Sequence, residues 1–206
     1  MITLYQRTDC PFCWKVRLAL AELDLEYDIV ETRLGEKHPE VLRLSPTGSV
    51  PVLLDGGLAI WESAVILEYL DSRYAPGRLM SSDPLAQASI RLLQAYSDKV
   101  VGSCLRELVF EKRSKPEAEW KMEIIRSGLE GWMTCMDYLE EQLGTKTYFG
   151  DRYSAADCAL APRFGVAAAY GAEATKDFPG LRRWYASVTA RPGWKAAYPS
   201  SFIRTQ

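Results

Sequence analysis

Two cysteines one helical turn apart lie near the start of the chain, in the segment Cys10-Pro11-Phe12-Cys13. Proline fits the first turn of a helix, because the N–H that it lacks would have no partner there. Cys10 is therefore expected at a helix N-terminus, where free N–H groups and the helix dipole stabilise a thiolate. Because the thiolate is the nucleophilic form of cysteine, this placement predicts nucleophilic or thiol–disulfide chemistry at Cys10.

Cys13 is open to two interpretations. It follows Cys10 by one turn on the same side of the helix, so it could resolve a mixed disulfide formed there. It also lies on one stripe with Val16 and Leu20, which is typical of a plain buried residue. A zinc site is disfavoured, since the other cysteines are isolated and His38 is the only histidine; no metal is expected.

Two later segments are suited to an extended ligand that carries an amino-acid group. Pro51 begins an apolar strand without a backbone donor, so it indicates either an edge strand or a cis Val50–Pro51 bond that turns the Val50 backbone towards a ligand. Ser63 is a good helix N-cap, and the same helix N-terminus could instead bind a carboxylate. Glu62, next to it, could pair with an ammonium group.

The elements that would position these residues follow from hydrophobic periodicity. Residues 2–6 predict a strand, the stripe that runs from Cys13 to Leu23 predicts a helix, and residues 25–30 predict a second strand. This order indicates a βαβ unit with a right-handed crossover.

A hairpin and a helix are predicted next. The apolar runs 50–54 and 58–61 are joined by Asp55-Gly56-Gly57, which is typical of a β-hairpin. The helix begins at Glu62-Ser63 and ends at Ala75-Pro76-Gly77.

After Asp83-Pro84 the pattern is helical only. Trp120 and Trp132 are expected to pack within these helices. The predicted helical stripes comprise Leu93, Tyr96 and Val100, a long run from Ile125 to Leu143 that stops at Gly144, a helix starting near Ser154, and a helix from Leu181 to Val188.

Composition excludes several classes of protein. With 25 basic and 27 acidic side chains in 206 residues, the net charge of −2 offers nothing that would attract nucleic acid or an anionic membrane. An apolar run of about 18 residues, as a membrane span requires, is missing from the sequence. The N-terminus lacks the pattern of a signal peptide, and five cysteines are odd in number and sparse for a disulfide framework. A cytoplasmic protein is expected.

Taken together, these motifs resemble a known family. The segments Cys10–Cys13, Ser45–Leu53 and Ile60–Ser63, in this order, resemble the N-terminal domain of a cytosolic glutathione transferase, closest to the cysteine-type, omega-like and dehydroascorbate-reductase-like groups. Residues 150–157 resemble the family's capping box, in which Ser154 and Asp157 cap a buried helix. The resemblance covers essentially the whole chain. It implies an α/β thioredoxin-like N-terminal domain (1–77), a linker (78–86) and an all-α C-terminal domain (87–206).

The resemblance also implies roles for individual residues, with glutathione as cosubstrate. Cys10 would face the glutathione sulfur, and Cys13 would support it or resolve the intermediate. The implied glutathione contacts are Phe12 along the sulfur's path, the Val50 backbone beside cis-Pro51 at the cysteinyl part, Glu62 and Ser63 at the γ-glutamyl group, and Lys37 or His38 at the glycyl carboxylate. A second substrate would bind between the domains, with Tyr96, Lys99, Cys104 and Arg106 as candidates. Members of the family are commonly homodimers, so a homodimer is expected.

The residue type at position 10 favours one activity within the family. Many relatives activate glutathione with a Tyr or Ser, and Tyr5 and Thr8 are the hydroxyl residues near this place; Tyr5 is expected to pack or assist. A cysteine at this place attacks mixed disulfides, so we expect reduction of mixed disulfides or dehydroascorbate-like substrates. Two alternatives stay open: a transferase that conjugates, dehalogenates or cleaves an ether, and a non-enzymatic binding protein like the stringent starvation protein or a chloride-channel-like protein.

Overall fold

The first half of the chain forms a four-stranded sheet with helices, as the periodicity predicts. The computed structural model describes residues 1–173 and 177–202. The elements in chain order are β1 (Ile2–Gln6), α1 (Pro11–Glu22), β2 (Tyr27–Glu31), α2 (Pro39–Leu44), β3 (Val52–Asp55), β4 (Leu58–Trp61) and α3 (Ser63–Tyr74). The strand order is β2-β1-β3-β4, with β1 parallel to β2 and antiparallel to β3. The βαβ unit and the hairpin are confirmed, and the thioredoxin-like fold with them.

The register of the sheet brings the predicted motifs to one end of it. Tyr5 of β1 pairs with Val52 of β3, and Val52 pairs with Trp61 of β4. Since β3 is antiparallel to both neighbours, the carboxyl ends of β1 and β4 meet the amino end of β3. The segment after β1 carries Cys10, the segment before β3 carries Val50-Pro51, and Glu62 directly follows β4.

The short helix α2, which periodicity did not predict, packs against the sheet near this end. Its Val41 is buried in a cluster with Tyr5 and Val52, and Val50 is packed against that cluster. The packing prediction for Tyr5 is therefore confirmed.

The second half is helical. Its elements are α4 (Pro84–Tyr96), a π-helical turn (Ser97–Val101), α5 (Gly102–Ser114), a 3₁₀ turn (Glu117–Glu119), α6 (Met122–Leu143), α7 (Ala155–Ala169), α8 (Pro179–Thr189), α9 (Pro192–Ala197) and a final 3₁₀ turn (Ser200–Phe202). No helix in the described part of the chain is both long and apolar enough to cross a membrane.

One predicted row of buried helical side chains is wrong because of the π-helical turn. Val100 was expected in line with Leu93, but Val100 is 41% exposed while Val101 is fully buried. A π-turn holds more residues than an α-turn, so it rotates the side chains that follow it about the helix axis. The neighbouring valine therefore takes the inward position.

The predicted capping box at α7 is confirmed. The Ser154 side chain accepts from the Ala156 N–H at 3.3 Å, and the Ser154 N–H donates to Asp157 Oδ2 at 2.8 Å. Asp157 is fully buried and also accepts from the Phe149 N–H and the Trp184 indole N–H. Trp132 is buried against Phe164, as its packing prediction requires.

The chain divides into two compact units. One comprises residues 1–87 with the segment from Ala190 onwards, and the other comprises residues 88–189. Within the first unit, the segment that begins at Ala190 packs on α1. The ring centroids of Trp14 and Trp194 are 4.7 Å apart, and the Arg191 guanidinium pairs with the Glu22 carboxylate at 2.5 Å.

Candidate functional site

Cys10 is the N-cap of α1, as predicted. Its backbone is extended (φ −78°, ψ 121°), Pro11 begins the helix, and the Cys10 carbonyl accepts from the Trp14 N–H at 2.9 Å. The side chain is 6% exposed. The sulfur therefore sits at the start of α1, where the first N–H groups of the helix have no partner within the helix.

The two thiols of the motif differ strongly in acidity. A hydrogen bond from the Cys13 thiol, helped by the N–H groups of Cys13 and Phe12 and by the charge of Arg7, lowers the pKa of Cys10 to about 6 despite its burial. Burial raises the pKa of Cys13, and the neighbouring Cys10 adds to this. Cys13 is completely buried, and its sulfur accepts from the Arg7 N–H at 3.4 Å. Cys10 is thus the thiolate and Cys13 its hydrogen-bond donor.

The turn that leads into Cys10 is fixed by polar contacts. The Arg7 guanidinium pairs with Asp9 at 2.6 Å, and the Cys10 N–H donates to the Arg7 carbonyl at 3.1 Å. Glu31, at the end of β2, accepts from the Thr8 N–H at 2.6 Å. Thr8 therefore contributes its backbone, which β2 anchors.

A buried arginine that sequence reasoning missed completes this anchorage. Arg17 is 5% exposed; its guanidinium donates to the Thr8 carbonyl at 2.8 Å and to the Gln6 side-chain oxygen. The Gln6 amide nitrogen donates in turn to Glu31 at 2.6 Å. Burial lowers the pKa of Arg17. The sequence did contain a sign of this buried arginine. Arg17 follows Cys13 by one helical turn, on the side of the helix that the periodicity predicts to face the core.

The Val50–Pro51 peptide bond is cis, which is one of the two alternatives that the sequence left open for Pro51. Pro51 lies just before β3 and is buried, so its missing N–H leaves no gap in the ladder. Val50 is held by the α2 cluster, which fixes where its backbone groups point.

Glu62 has a backbone that is unusual for a residue with a side chain. Its φ of 67° and ψ of 111° lie in a region that favours glycine, and such outliers concentrate at functional sites. Glu62, not Ser63, is the N-cap of α3; the cap prediction for Ser63 is wrong because Ser63 is already the first helical residue. The Glu62 side chain makes no capping bond within the described residues, so the first N–H groups of α3 are suited to an anionic ligand.

The two candidates for the glycyl carboxylate differ in environment. Lys37 is exposed, whereas His38 is half-buried and its ring lies 5.8 Å from that of Tyr5. Among residues 1–173 and 177–202, the buried His38 Nδ1 has no hydrogen-bond partner. His38 is the N-cap of α2, next to β1 in space.

Of the second-substrate candidates, the structure brings two together. Tyr96 and Cys104 both lie against Cys135 of α6, and Tyr96 also stacks on Tyr138 with centroids 4.5 Å apart. Burial raises the pKa of Tyr96. The other two candidates, Lys99 and Arg106, are exposed, and the Arg106 guanidinium lies over the Phe110 ring.

Among the residues that the structure describes, no three or more histidine, cysteine or acidic side chains are arranged to hold a metal ion.

Two family models match the chain. The model for the glutathione S-transferase N-terminal domain matches residues 4–78, and the model for the C-terminal domain matches residues 118–187.

Individual proteins are similar over most of their length. FtsZ-localized protein A of Caulobacter vibrioides is 32% identical over 192 residues, with 88% of this chain and 84% of that protein covered. Maleylacetoacetate isomerase of Pseudomonas aeruginosa is 31% identical over 211 residues, covering 98% and 96%. The crystal structure of a theta class glutathione S-transferase from Xanthomonas axonopodis pv. citri, with glutathione bound, superposes with a TM-score of 0.86 at 25% identity, covering 98% and 99%.

Proposed function

Because the chain belongs to the cytosolic glutathione S-transferase superfamily, we propose that it is a glutathione-dependent thiol transferase in which Cys10 is the nucleophile. The observation that carries the proposal is the thiolate environment of Cys10 at the N-terminus of α1, beside the Cys13 thiol and Arg7. A hydroxyl would stabilise a bound glutathione thiolate, whereas a cysteine thiolate attacks sulfur itself.

The reaction that we propose has two exchange steps. The Cys10 thiolate attacks the glutathione sulfur of a mixed disulfide, forms a Cys10–glutathione disulfide, and releases the substrate as a thiolate that takes up a proton. A second glutathione, as thiolate, attacks that disulfide; glutathione disulfide leaves and the Cys10 thiolate is restored. The sulfur of the second glutathione is oxidised to the disulfide level and the substrate sulfur is reduced to a thiol, while the first glutathione sulfur stays in a disulfide throughout, so the electrons balance without another reductant.

Glutathione fits the same end of the sheet. The proposed contacts are the Val50 backbone beside cis-Pro51 for the cysteinyl part, and the α3 N-terminus with Ser63 for the γ-glutamyl carboxylate. Glu62 would pair with the γ-glutamyl ammonium, Lys37 or His38 would meet the glycyl carboxylate, and Phe12 would line the path of the sulfur. Glutathione-bound relatives of the same fold support this cosubstrate.

A one-thiol mechanism is the version that we propose. Cys13 is completely buried and its pKa is raised, so it is poorly suited to attack the intermediate. Cys13→Ser keeps a hydrogen-bond donor beside Cys10, and turnover is expected to stay nearly intact. Mass spectrometry of the oxidised wild type decides between the mechanisms: one glutathione on Cys10 supports the proposal, and a Cys10–Cys13 disulfide without an adduct overturns it.

A second candidate function is favoured by a different observation. The chain is similar over 98% of its length to a maleylacetoacetate isomerase, an enzyme whose name indicates an unsaturated substrate with no disulfide. Addition of glutathione to an electrophile, or the related dehalogenation and ether cleavage, is therefore the rival. A third possibility is a non-enzymatic binding protein like the stringent starvation protein, since the chain is similar to a stringent starvation protein A homolog.

One substrate panel distinguishes the three. Wild type and Cys10→Ser are assayed with a glutathionylated peptide, dehydroascorbate and an aromatic halide, each with glutathione. Thiol transfer predicts turnover of the first two that Cys10→Ser abolishes while glutathione binding survives. Turnover of the halide alone would favour conjugation, and no turnover of any substrate would favour the binding protein.

The same proposal includes a homodimer and a cytoplasmic location. The reaction consumes reduced glutathione and needs a free Cys10 thiol, and all five cysteines are free. Light scattering coupled to gel filtration measures the dimer directly.

A further inference from the structure

Two cysteines outside the glutathione site are in contact. Cys104 on α5 and Cys135 on α6 have their sulfurs 3.7 Å apart, although they are 31 positions apart in the sequence. Cys104 is half-buried and Cys135 is 1% exposed, and both belong to the unit of residues 88–189.

Glycines on α6 bring the two helices together at this point. A Cβ on Gly131 would lie 3.1 Å from the Cys104 sulfur and 3.3 Å from its Cβ. A Cβ on Gly128 would lie 2.8 Å from the Leu108 Cβ and 3.2 Å from the Cys104 carbonyl oxygen. Gly131 and Cys135 are four residues apart, so they share one face of α6. The α5 backbone is thus held near Cys135 by packing, and the two sulfurs lie 3.7 Å apart, against about 2 Å in a disulfide.

A polar group accompanies the pair. The Tyr96 hydroxyl is hydrogen-bonded to the Cys135 sulfur, and its ring is fixed by the stack on Tyr138. A phenol donates readily to a thiolate, so Tyr96 supports the charge that a reacting Cys135 would carry. Burial raises the pKa of Cys135 to about 11, so this donation matters when Cys135 reacts.

We propose that Cys104 and Cys135 form a second dithiol site, which a low-molecular-weight disulfide such as glutathione disulfide oxidises to an internal disulfide between α5 and α6. The site is independent of Cys10, because it needs neither a glutathione-binding cleft nor the reaction proposed there.

The chemistry is two successive exchanges. The Cys104 thiolate attacks one sulfur of glutathione disulfide, which gives a Cys104–glutathione disulfide and one glutathione thiolate. The Cys135 thiolate then attacks Cys104 and releases the second glutathione thiolate. The two protons lost by the cysteines end on the two glutathione thiols, the protein dithiol is oxidised, and glutathione disulfide is reduced. Cys104 reacts first because it is the more exposed thiol. Cys135 follows because it is already in contact, and because the Tyr96 hydroxyl stabilises the Cys135 thiolate that burial disfavours, whereas Cys10 raises the pKa of Cys13 further.

Peptide mapping of the wild type tests the proposal. Reduced protein is incubated with glutathione disulfide, unfolded with an alkylating agent and digested with trypsin without reductant. Lys99 and Arg106 bracket Cys104, and Arg126 and Lys146 bracket Cys135, so the two cysteines fall on separate peptides. We expect peptides 100–106 and 127–146 to be joined, with a mass lower than their sum by two hydrogens. Both peptides alkylated, or a lasting glutathione adduct on Cys104 beside an alkylated Cys135, would overturn the proposal.

Two variants sharpen the result. Cys135→Ala removes the second thiol, so a stable glutathione adduct on Cys104 is expected in place of the joined peptides. Cys158→Ala is the matched control: Cys158 is fully buried on α7 and its sulfur contacts the Tyr153 hydroxyl, so the joined peptides should form as in the wild type. Loss of the joined peptides in this control would show that the disulfide depends on Cys158 and not on the contact between α5 and α6 alone, which also overturns the proposal.

Discussion

The acidity of Cys10 results from a few donors and charges in its immediate surroundings. Burial alone would raise its pKa, yet the Cys13 thiol, the first N–H groups of α1 and the charge of Arg7 lower it. The Cys13 thiol and the Arg7 charge can each be removed by one substitution without touching Cys10. Reactivity measured against pH therefore reports on the neighbours.

Arg7→Gln should shift the reactivity of Cys10 to higher pH. The thiolate fraction rises as the pH rises through the pKa, and loss of the Arg7 charge raises that pKa. Alkylation of Cys10 at about pH 6 should be several-fold slower than in the wild type, while the rates at about pH 9 should converge. Peptide-resolved alkylation kinetics provide the measurement.

The matched control is Arg43→Gln, which removes an arginine that is ion-paired at 2.7 Å with Glu40 on the surface. Its alkylation profile should match that of the wild type. An identical profile for Arg7→Gln would contradict the role given to its charge.

Glu62→Gln should weaken glutathione binding while the fold is kept. If Glu62 pairs with the γ-glutamyl ammonium, removing its charge should lower the affinity about tenfold or more, since truncating a charge pair costs roughly 2–5 kcal/mol when buried and less when open. Calorimetric titration with glutathione measures the change. Glu36→Gln, an exposed carboxylate on another loop, is the control, and equal affinities for all three proteins would show that the assignment is wrong.

The sequence predicted the position of a site residue where that position depends only on its neighbours in the chain. The position of Cys10 at a helix N-terminus follows from Pro11 alone. The burial of Arg17 could not be predicted from neighbouring residues, because its guanidinium donates to the Ala197 carbonyl, 180 positions away. The left-handed backbone of Glu62 is also set by its surroundings, since nothing in its own side chain favours it.

Helix α7 depends on one buried carboxylate. Asp157 accepts four donors: Oδ1 from the Phe149 N–H and the Trp184 indole, and Oδ2 from the Ser154 N–H and hydroxyl. An amide in its place has only one acceptor atom, so at least one pair of these donors would lose its partner.

Asp157→Asn should therefore lower the free energy of unfolding by about 2–6 kcal/mol, since two buried donors lose their partner and each costs roughly 1–3 kcal/mol. Denaturant unfolding followed by circular dichroism measures this as a lower midpoint. Asp151→Asn, at an exposed position in the same loop, should unfold close to the wild type. A wild-type midpoint for Asp157→Asn would mean that the four bonds do not stabilise α7.

The helices could be predicted from the sequence wherever their apolar residues keep the regular α-helical period. The long helix α6 ends at Gly144 with φ 55°, as its glycine stop signal indicated. The prediction that Val100 is buried was wrong because the helical period changes at Ser97, where the π-turn begins. From the sequence alone, Val100 and Val101 are equally suited to the buried position. Helix α2 has six residues, too few for its period to stand out.

One of the two compact units of the molecule is continuous in sequence and the other is not. The unit of residues 88–189 is continuous in sequence, whereas the other unit combines the first 87 residues with the segment from Ala190. Trp194 is 6% exposed and packs on the fully buried Trp14.

Trp194→Ala should destabilise the discontinuous unit selectively. Replacing a buried tryptophan by alanine commonly costs about 3–5 kcal/mol. Hydrogen exchange should show faster exchange in β1 and α1, while peptides from α6 and α7 keep their protection. Trp120→Ala, which removes a half-buried ring in the other unit, should leave β1 and α1 unchanged. Uniform loss of protection over both units would contradict this division.

The late return of the chain to α1 has a consequence for how the protein is made. Translation delivers Arg17 and Trp14 long before the Ala197 carbonyl and the Trp194 ring that complete their surroundings. The continuous unit can finish folding during synthesis, as domains made earlier generally do. Helix α1 cannot, so a nascent chain presents Cys10 at the start of a helix whose packing is incomplete. We expect the completed packing of α1 to be among the last features that a newly made molecule acquires.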